Sequence, residues 1–233
     1  TPIKIKGGSI NDNFEYQMPV ASAQVKSSLI LASLSSGNSI HIEEPKVTRD
    51  HTEKMIEYCG GKIDVQNSSE GKKITLNKSN LSKISSYEVV GDFSSAAFII
   101  IAALISKKSK VLIKNVGLNA TRKGLLEVLL RMNANIKIVN QRITCNETCG
   151  DLIVESSNLE GIEVSDSIIP NIIDEIPILS VAASFAEGET VIKNASELKV
   201  KESDRLKAIS EGLGAMNIKH DILEDGLIIS GQN

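Results

Sequence analysis

Tryptophan is absent from this 233-residue chain, and Phe, Trp and Tyr together make up only 3% of it. So thin an aromatic complement argues against stacking platforms for nucleobases or sugar rings. Any polar ligand has to be held by charge and backbone dipoles instead. A basic excess is also missing: 26 Lys and Arg stand against 29 Asp and Glu, a net charge of −3 and a pI near 5.7. That balance argues against general binding to nucleic acid or to an acidic membrane surface. The three cysteines, Cys59, Cys145 and Cys149, are too few and too odd in number for a disulfide framework. Cys145 and Cys149 have no second Cys/His pair nearby, and His41, His51 and His220 are scattered. Free thiols in a turn are therefore expected rather than a zinc site, which needs about four ligands. No apolar run approaches the roughly 18 residues of a membrane span, and no signal peptide opens the chain. A soluble, cytoplasmic protein is the expectation. The chain starts with Thr1 rather than Met, which suggests that it is processed, trimmed or cut from something longer.

What is present is enough for a core. Hydrophobic residues account for 41% and charged residues for 24%, which excludes wholesale disorder. The chain also repeats itself. One order of events recurs three times: an apolar helix, a strand, a second helix, a strand and a short closing strand. Ile42, Ile113 and Ile192 mark the first strand of each copy, and Ile63, Ile136 and Ile218 mark the next. Both series step by about 70 to 80 residues, a period that reads as a pseudo-symmetric domain rather than a solenoid. Lys73-Ile-Thr-Leu, Arg142-Ile-Thr-Cys and Leu227-Ile-Ile read as the closing strands. The fold class is thus α/β (α+β), with three βαβαββ units joined by short turns. A break near Ile136 is expected, where a repeat ends its second helix, dividing the chain into residues 1–136 and 137–233.

Local chemistry supports the helices. Asp50 and Glu53 form an Asp-x-x-Glu capping box with Gly60 as a left-handed stop, and Ser203 and Gly214 play the same parts in the third copy. The first helices, such as Ala96-Ala-Phe-Ile-Ile-Ile-Ala-Ala-Leu-Ile, show little amphipathicity and are expected to be buried all round.

The helix starts carry the chemistry. First helices open at Ser22-Ala23-Gln24, Ser94-Ser95 and Asp174-Glu175; second helices open beside Thr48-Arg49, Thr121-Arg122 and Lys201-Glu202-Ser203. Unpaired N–H groups and a partial positive charge make a helix start an anion site, and hydroxyls, an amide and cations there suit phosphate or carboxylate. Ser and Asp are also ordinary caps, so Ser22, Ser94 and Asp50 alone say little. A cation at a helix start is less ordinary, since the dipole disfavours it. Arg49, Arg122 and Lys201 occur there at matching positions, although Arg122 also reads as a solvated side chain. Asp174 lies in Ile172-Ile-Asp-Glu-Ile-Pro-Ile-Leu, where a carboxylate must be paired or functional. It reads as a general base near a bound anion or as a cap for the helix after Pro177. Lys201 and Arg205, four residues apart, can share one helix face.

Five segments together resemble the 5-enolpyruvylshikimate-3-phosphate synthase family. They are Pro19-Val-Ala-Ser-Ala-Gln-Val-Lys-Ser-Ser, Thr48-Arg-Asp-His-Thr-Glu-Lys, Gly91-Asp-Phe-Ser-Ser-Ala-Ala-Phe, Ile173-Asp-Glu-Ile-Pro-Ile-Leu and Val200-Lys-Glu-Ser-Asp-Arg-Leu. They come in the family's order, over essentially the whole chain, in a variant similar to the bacterial class II. The resemblance implies the enolpyruvate transferase fold, an inside-out α/β barrel of two lobes and six βαβαββ units, with no cofactor and no metal. It implies transfer of the carboxyvinyl group of phosphoenolpyruvate to the 5-hydroxyl of shikimate 3-phosphate, with release of phosphate. By the same resemblance Ser22, the Ala23 backbone, Gln24, Arg49 and Lys201 hold shikimate 3-phosphate. Asp174 orients and deprotonates the 5-hydroxyl, Glu202 is the acid/base carboxylate near the methylene, and Arg205 contacts the phosphate or carboxylate of phosphoenolpyruvate.

The chain departs from the family by lacking about half of it. The N-terminal Lys-Ser segment, the Asn-Ala-Gly-Thr loop with its following arginine, and the C-terminal Asp-His-Arg and later lysine are not found. The chain alone is therefore expected to fold at least in part but to turn over little or nothing. Two rival readings are UDP-N-acetylglucosamine enolpyruvyl transferase, which shares fold and donor, and a non-catalytic module that binds a phosphorylated metabolite. The Ser-Ala-Gln and Lys-Glu-Ser-Asp-Arg motifs argue against the first.

Overall fold

The computed structural model describes residues 2–4, 6–9, 11–68, 71–200 and 203–232. The chain forms two compact units, residues 1–89 with 145–147, and residues 90–144 with 148–233.

The first unit is one complete βαβαββ repeat: β1 (Phe14–Gln17), α1 (Ala23–Ser36), β2 (Ile40–Glu44), α2 (His51–Tyr58), β3 (Ile63–Asn67) and β4 (Lys72–Leu76). Its sheet runs β1-β2-β4-β3, with β1 parallel to β2 and the other pairs antiparallel. In β2 the buried positions alternate, Ile40, Ile42 and Glu44, as a sheet with one covered face requires. Ile40, Ile42, Ile74 and Leu76 meet Ile30 and Ile56 from the helices to form the core. Gly37 at φ 70° ends α1, and Gly60 at φ 80° follows α2. Both adopt the left-handed conformation that glycine takes without steric cost.

The second unit holds α3 (Phe93–Ile105), β5 (Lys110–Gly117), α4 (Gly124–Arg131), β6 (Asn135–Thr144), β7 (Glu147–Glu155), α5 (Ile169–Ile172), α6 (Ile176–Ser184), β8 (Glu189–Ile192), α7 (Arg205–Ala215), β9 (His220–Leu223) and β10 (Gly226–Ser230). Its two sheets run β5-β7-β6 and β8-β10-β9. Each repeats the order of the first sheet with the opening strand shortened to a parallel bridge, Gly91 with Val116 and Glu163 with Val191. The three-fold repeat is therefore present in the topology as well as in the spacing.

Several expectations need correction. The break is not at Ile136: the second and third repeats share one apolar core in which α3 packs on α6, with Leu104, Leu129, Ile172 and Leu179 all buried. The division falls between Val89 and Val90 instead, at the end of a stretch (77–90) without helix or strand. Arg142-Ile-Thr belongs to β6, and β7 is the closing strand of the second repeat. Cys145 and Asn146, at φ 49° and 63°, make the two-residue turn between them, the twist-matched form of a hairpin. Cys145 is in that turn as expected, but Cys149 is buried in β7; both thiols are free. The α3 helix is not buried all round. Phe98 and Ile99 are more than half exposed, since among the described residues α3 packs mainly towards α6 and β5.

The caps differ too. Asp50 stands at the N-cap position of α2 without a side-chain cap bond, and Glu53 turns into the interior. Asp204, not Ser203, caps α7 by accepting from Lys207 N at 3.0 Å. The left-handed residue after α7 is Asn217 rather than Gly214. No single helix among the described residues is long and apolar enough to cross a membrane.

Candidate functional site

In the first unit the start of α1 presents an anion-binding end. Ser22 is its N-cap, with Oγ accepting from Val25 N at 3.3 Å. The Ala23 and Gln24 amides lie in the first turn, where no intrahelical acceptor exists, and no acidic residue sits there. The capping reading of Ser22 therefore holds, and the capped end still offers two amides, a partial positive charge and the exposed Gln24.

Arg49 follows β2 directly before α2. Its segment is tied down through Thr48, whose Oγ1 donates to Glu44 Oε2 at 2.6 Å and whose N donates to Glu44 Oε1 at 3.3 Å. Glu44 in turn faces Lys26, with Nζ 3.1 Å from Glu44 Oε2 and 2.7 Å from Glu53 Oε1. All three side chains are almost completely buried. Ser27 and Thr52 add a hydroxyl contact at 2.7 Å between α1 and α2. One buried ammonium thus couples the helix that opens at Ser22 to the loop that carries Arg49. The sequence carried a signal for it, since Lys26 is the one charged residue of α1.

In the second unit the chemistry gathers before α6. Asp174 does not cap α6, which starts at Ile176 with Glu175 in the N-cap position. Instead Arg205 Nη1, from the first residue of α7, donates to Asp174 Oδ1 at 3.0 Å. Arg122 Nη1 lies 3.9 Å from Asp174 Oδ2. The Asp174 side chain is about one-third exposed.

Arg122 is no solvated side chain: it is only 12% exposed. Its Nη2 donates to Asp92 Oδ1 at 3.1 Å and to Ser94 Oγ, and lies 3.8 Å from Glu175 Oε1. Ser94 passes the contact on by donating to Glu175 Oε1. The turn that carries Arg122 is built by Asn119, whose Oδ1 accepts from Thr121 N at 2.9 Å and Oγ1 at 2.8 Å, and whose carbonyl accepts from Arg122 N at 2.9 Å. Gly124 lets this turn close onto the chain before Asp174: a Cβ there would stand 2.7 Å from Ile172 Cγ2. Asp92 also caps α3 through Ser95. Burial pushes its carboxyl up, but bonds from the Ser95 hydroxyl and amide and from Arg122 outweigh that and hold it below the usual carboxylate range.

Of the residues singled out from the sequence, the structure brings Asp174 and Arg205 together, sets Ser22, Ala23 and Gln24 on one helix start, and ties the Arg49 loop to that helix through Lys26. Lys201 and Glu202 lie outside the described residues. A cavity of about 300 Å³ lies between α6 and α7, lined by Pro177, Val181, Ala208, Ile209 and Met216 with Arg205 beside it. Its walls are mostly apolar and suit no polyanion.

The family model for EPSP synthase (3-phosphoshikimate 1-carboxyvinyltransferase) matches residues 1–233. A 3-phosphoshikimate 1-carboxyvinyltransferase of Petrotoga mobilis is 47% identical over 233 residues, covering 99% of this chain and 52% of its own length. One from Thermoanaerobacter sp. (strain X514) is 46% identical over 230 residues, covering 99% and 53%. The chain spans about half the length of the curated relatives it matches. A solved EPSP synthase of Acinetobacter baumannii superposes with a TM-score of 0.87 at 39% identity, over 95% of this chain and 49% of that one. The enolpyruvyl transferase NikO of Streptomyces tendae, at 14% identity and a TM-score of 0.63, shares the fold.

Proposed function

Since the chain belongs to the EPSP synthase family, we propose that it carries the shikimate 3-phosphate part of a carboxyvinyl transfer site, together with the base that acts on that substrate. The reaction is transfer of the enolpyruvyl group of phosphoenolpyruvate to the 5-hydroxyl of shikimate 3-phosphate. Ser22, the Ala23 amide, Gln24, Arg49 and Lys201 hold the phosphorylated acceptor by charge and by the α1 dipole. Asp174 orients the 5-hydroxyl and takes its proton. Glu202 gives a proton to the methylene carbon of phosphoenolpyruvate, and Arg205 holds the donor's phosphate or carboxylate. The protonated donor is electrophilic at its second carbon, where the 5-oxygen attacks. Loss of a proton from the new methyl group and departure of phosphate restore the double bond.

The observation that supports this reading is the partly exposed Asp174 carboxylate, which accepts from Arg205 Nη1 at 3.0 Å. A base and an anion-binding cation stand there in direct contact, as a reaction between two small polyanions requires. Turnover on this reading needs the family segments that the chain does not contain, and the reading implies a cytoplasmic enzyme. Ligand-observed NMR tests it with shikimate 3-phosphate and UDP-N-acetylglucosamine side by side. Saturation transfer to shikimate 3-phosphate alone is expected. Transfer to the nucleotide sugar alone would favour the rival transferase, and transfer to neither would remove the proposal.

A further inference from the structure

We propose that Arg122 is a positioning residue for the Asp174–Glu175 turn: it fixes the two carboxylates from behind and touches no substrate. The naming of Asp174 as the base rests on the function proposed above; the contacts do not. Three carboxylates from two separate stretches converge on this one guanidinium, Asp92 at 3.1 Å, Glu175 at 3.8 Å and Asp174 at 3.9 Å, with Ser94 bridging to Glu175. A planar fork with several donors serves many acceptors at once, which a lysine ammonium cannot do with the same geometry.

The repeat makes the assignment sharper. Arg49, Arg122 and Lys201 stand at matching places before the second helix of each copy. In the proposed function the first and third of these hold the acceptor. The middle one is turned inward: its side chain is 12% exposed and its Nη2 already faces Asp92, Ser94 and Glu175. A substrate anion would have to displace three of the protein's own acceptors to reach it. The same helix-start cation that serves a ligand elsewhere here serves internal carboxylates.

Among the described residues, the charged groups around Asp174 include Arg122 from the turn before α4, Arg205 from the start of α7, Glu175 beside it, and Asp92 across Arg122; Lys201 and Glu202 lie outside the described residues. Removing Arg122 leaves Asp174, Glu175 and Asp92 with one fewer cation among them, which disfavours the ionised form of Asp174.

The test is the side-chain carboxyl ¹³C resonance of Asp174, followed against pH in this chain without substrate and assigned by its loss in Asp174→Asn. Arg122→Gln is expected to raise the Asp174 midpoint by about one pH unit. Arg122→Lys, which keeps the charge but loses the fork, is expected to fall between that variant and the parent. An unchanged midpoint in a variant that still melts cooperatively overturns the proposal. If Arg122→Gln does not fold, Arg122→Lys decides by the same criterion; if neither folds, Arg122 is a structural residue and the proposal is wrong. No substrate enters the measurement, so failure to bind shikimate 3-phosphate would defeat the proposed function and leave this inference standing.

Discussion

The two ionic clusters, Lys26 with Glu44 and Glu53 in the first unit, and Arg122 and Arg205 with Asp92, Asp174 and Glu175 in the second, use the same ingredients to different ends. Lys26 and Glu44 are completely buried and Glu53 nearly so. The ammonium is a point charge closed between two carboxylates, one helical turn inside the start of α1. In the second unit the cations are planar guanidinia, and Asp174 keeps about a third of its surface open. Burial, more than charge, separates them. A fully buried cluster sets where the backbone goes, and a partly exposed one keeps a carboxylate within reach of solvent.

The comparison breaks most visibly at Lys26. Lys26→Met leaves Glu44 and Glu53 buried without their cation and should cost about 3 to 5 kcal/mol, since an uncompensated buried charge is expensive. Urea unfolding of the chain measures it. Replacing Glu53 by Leu in the same chain should recover much of the loss, as apolar substitutes for buried ion pairs often do. Full stability in Lys26→Met alone would mean that the cluster holds nothing in place.

Gly124→Ala probes how closely the Arg122 turn must approach the chain before Asp174. The added methyl meets Ile172 Cγ2 at 2.7 Å, and such overpacking costs about 1 to 3 kcal/mol. The expected result is a lower urea midpoint together with a disturbed Asp174 carboxyl resonance. A change in the midpoint alone would uncouple packing from the carboxylate.

Asp174→Asn should contribute less still. Its contact with Arg205 is partly solvated, and such pairs are worth at most about 1 kcal/mol, so the thermal transition should barely move. A large loss of stability would turn Asp174 into a structural residue like Glu44.

The smallest effect is on pH. The folded-state carboxyl of Asp92 lies below its usual value, so its contribution is present above the unfolded value near 3.8 and is lost as pH falls through the folded one. Acid unfolding below about pH 4 should therefore show a shallower slope in Asp92→Asn. An identical slope would deny that Asp92 is held ionised by Ser95 and Arg122.

Much of the fold was legible because apolar spacing survives in the repeats: the isoleucines at 42, 113 and 192 lie in β2, β5 and β8. The β7 strand was not legible. It is buried along most of its length yet contains Glu147, Gly150 and Asp151, so no alternation marks it. Asp151 is accommodated there because its oxygens accept from Asn115 N and Asn140 Nδ2. The division after Val89 did leave a trace, since Ser79, Ser82, Ser85 and Ser86 crowd the exposed stretch before it. At the candidate site, Asp174 and Arg205 stood out from the sequence on their own. The role of Arg122 did not, because its acceptors lie some 30 and 50 residues away along the chain, and only tertiary packing brings long-range partners together.

Central to the proposed function is that the chain holds the phosphorylated acceptor at the α1 start and Arg49. Calorimetric titration of the chain with shikimate 3-phosphate, with Arg49→Ala in parallel, tests that directly. Saturable binding that weakens by roughly ten- to a hundredfold in the variant is predicted, as loss of a charge-assisted hydrogen bond of about 1.5 to 3 kcal/mol implies. No heat of binding from a chain that still unfolds cooperatively would contradict it.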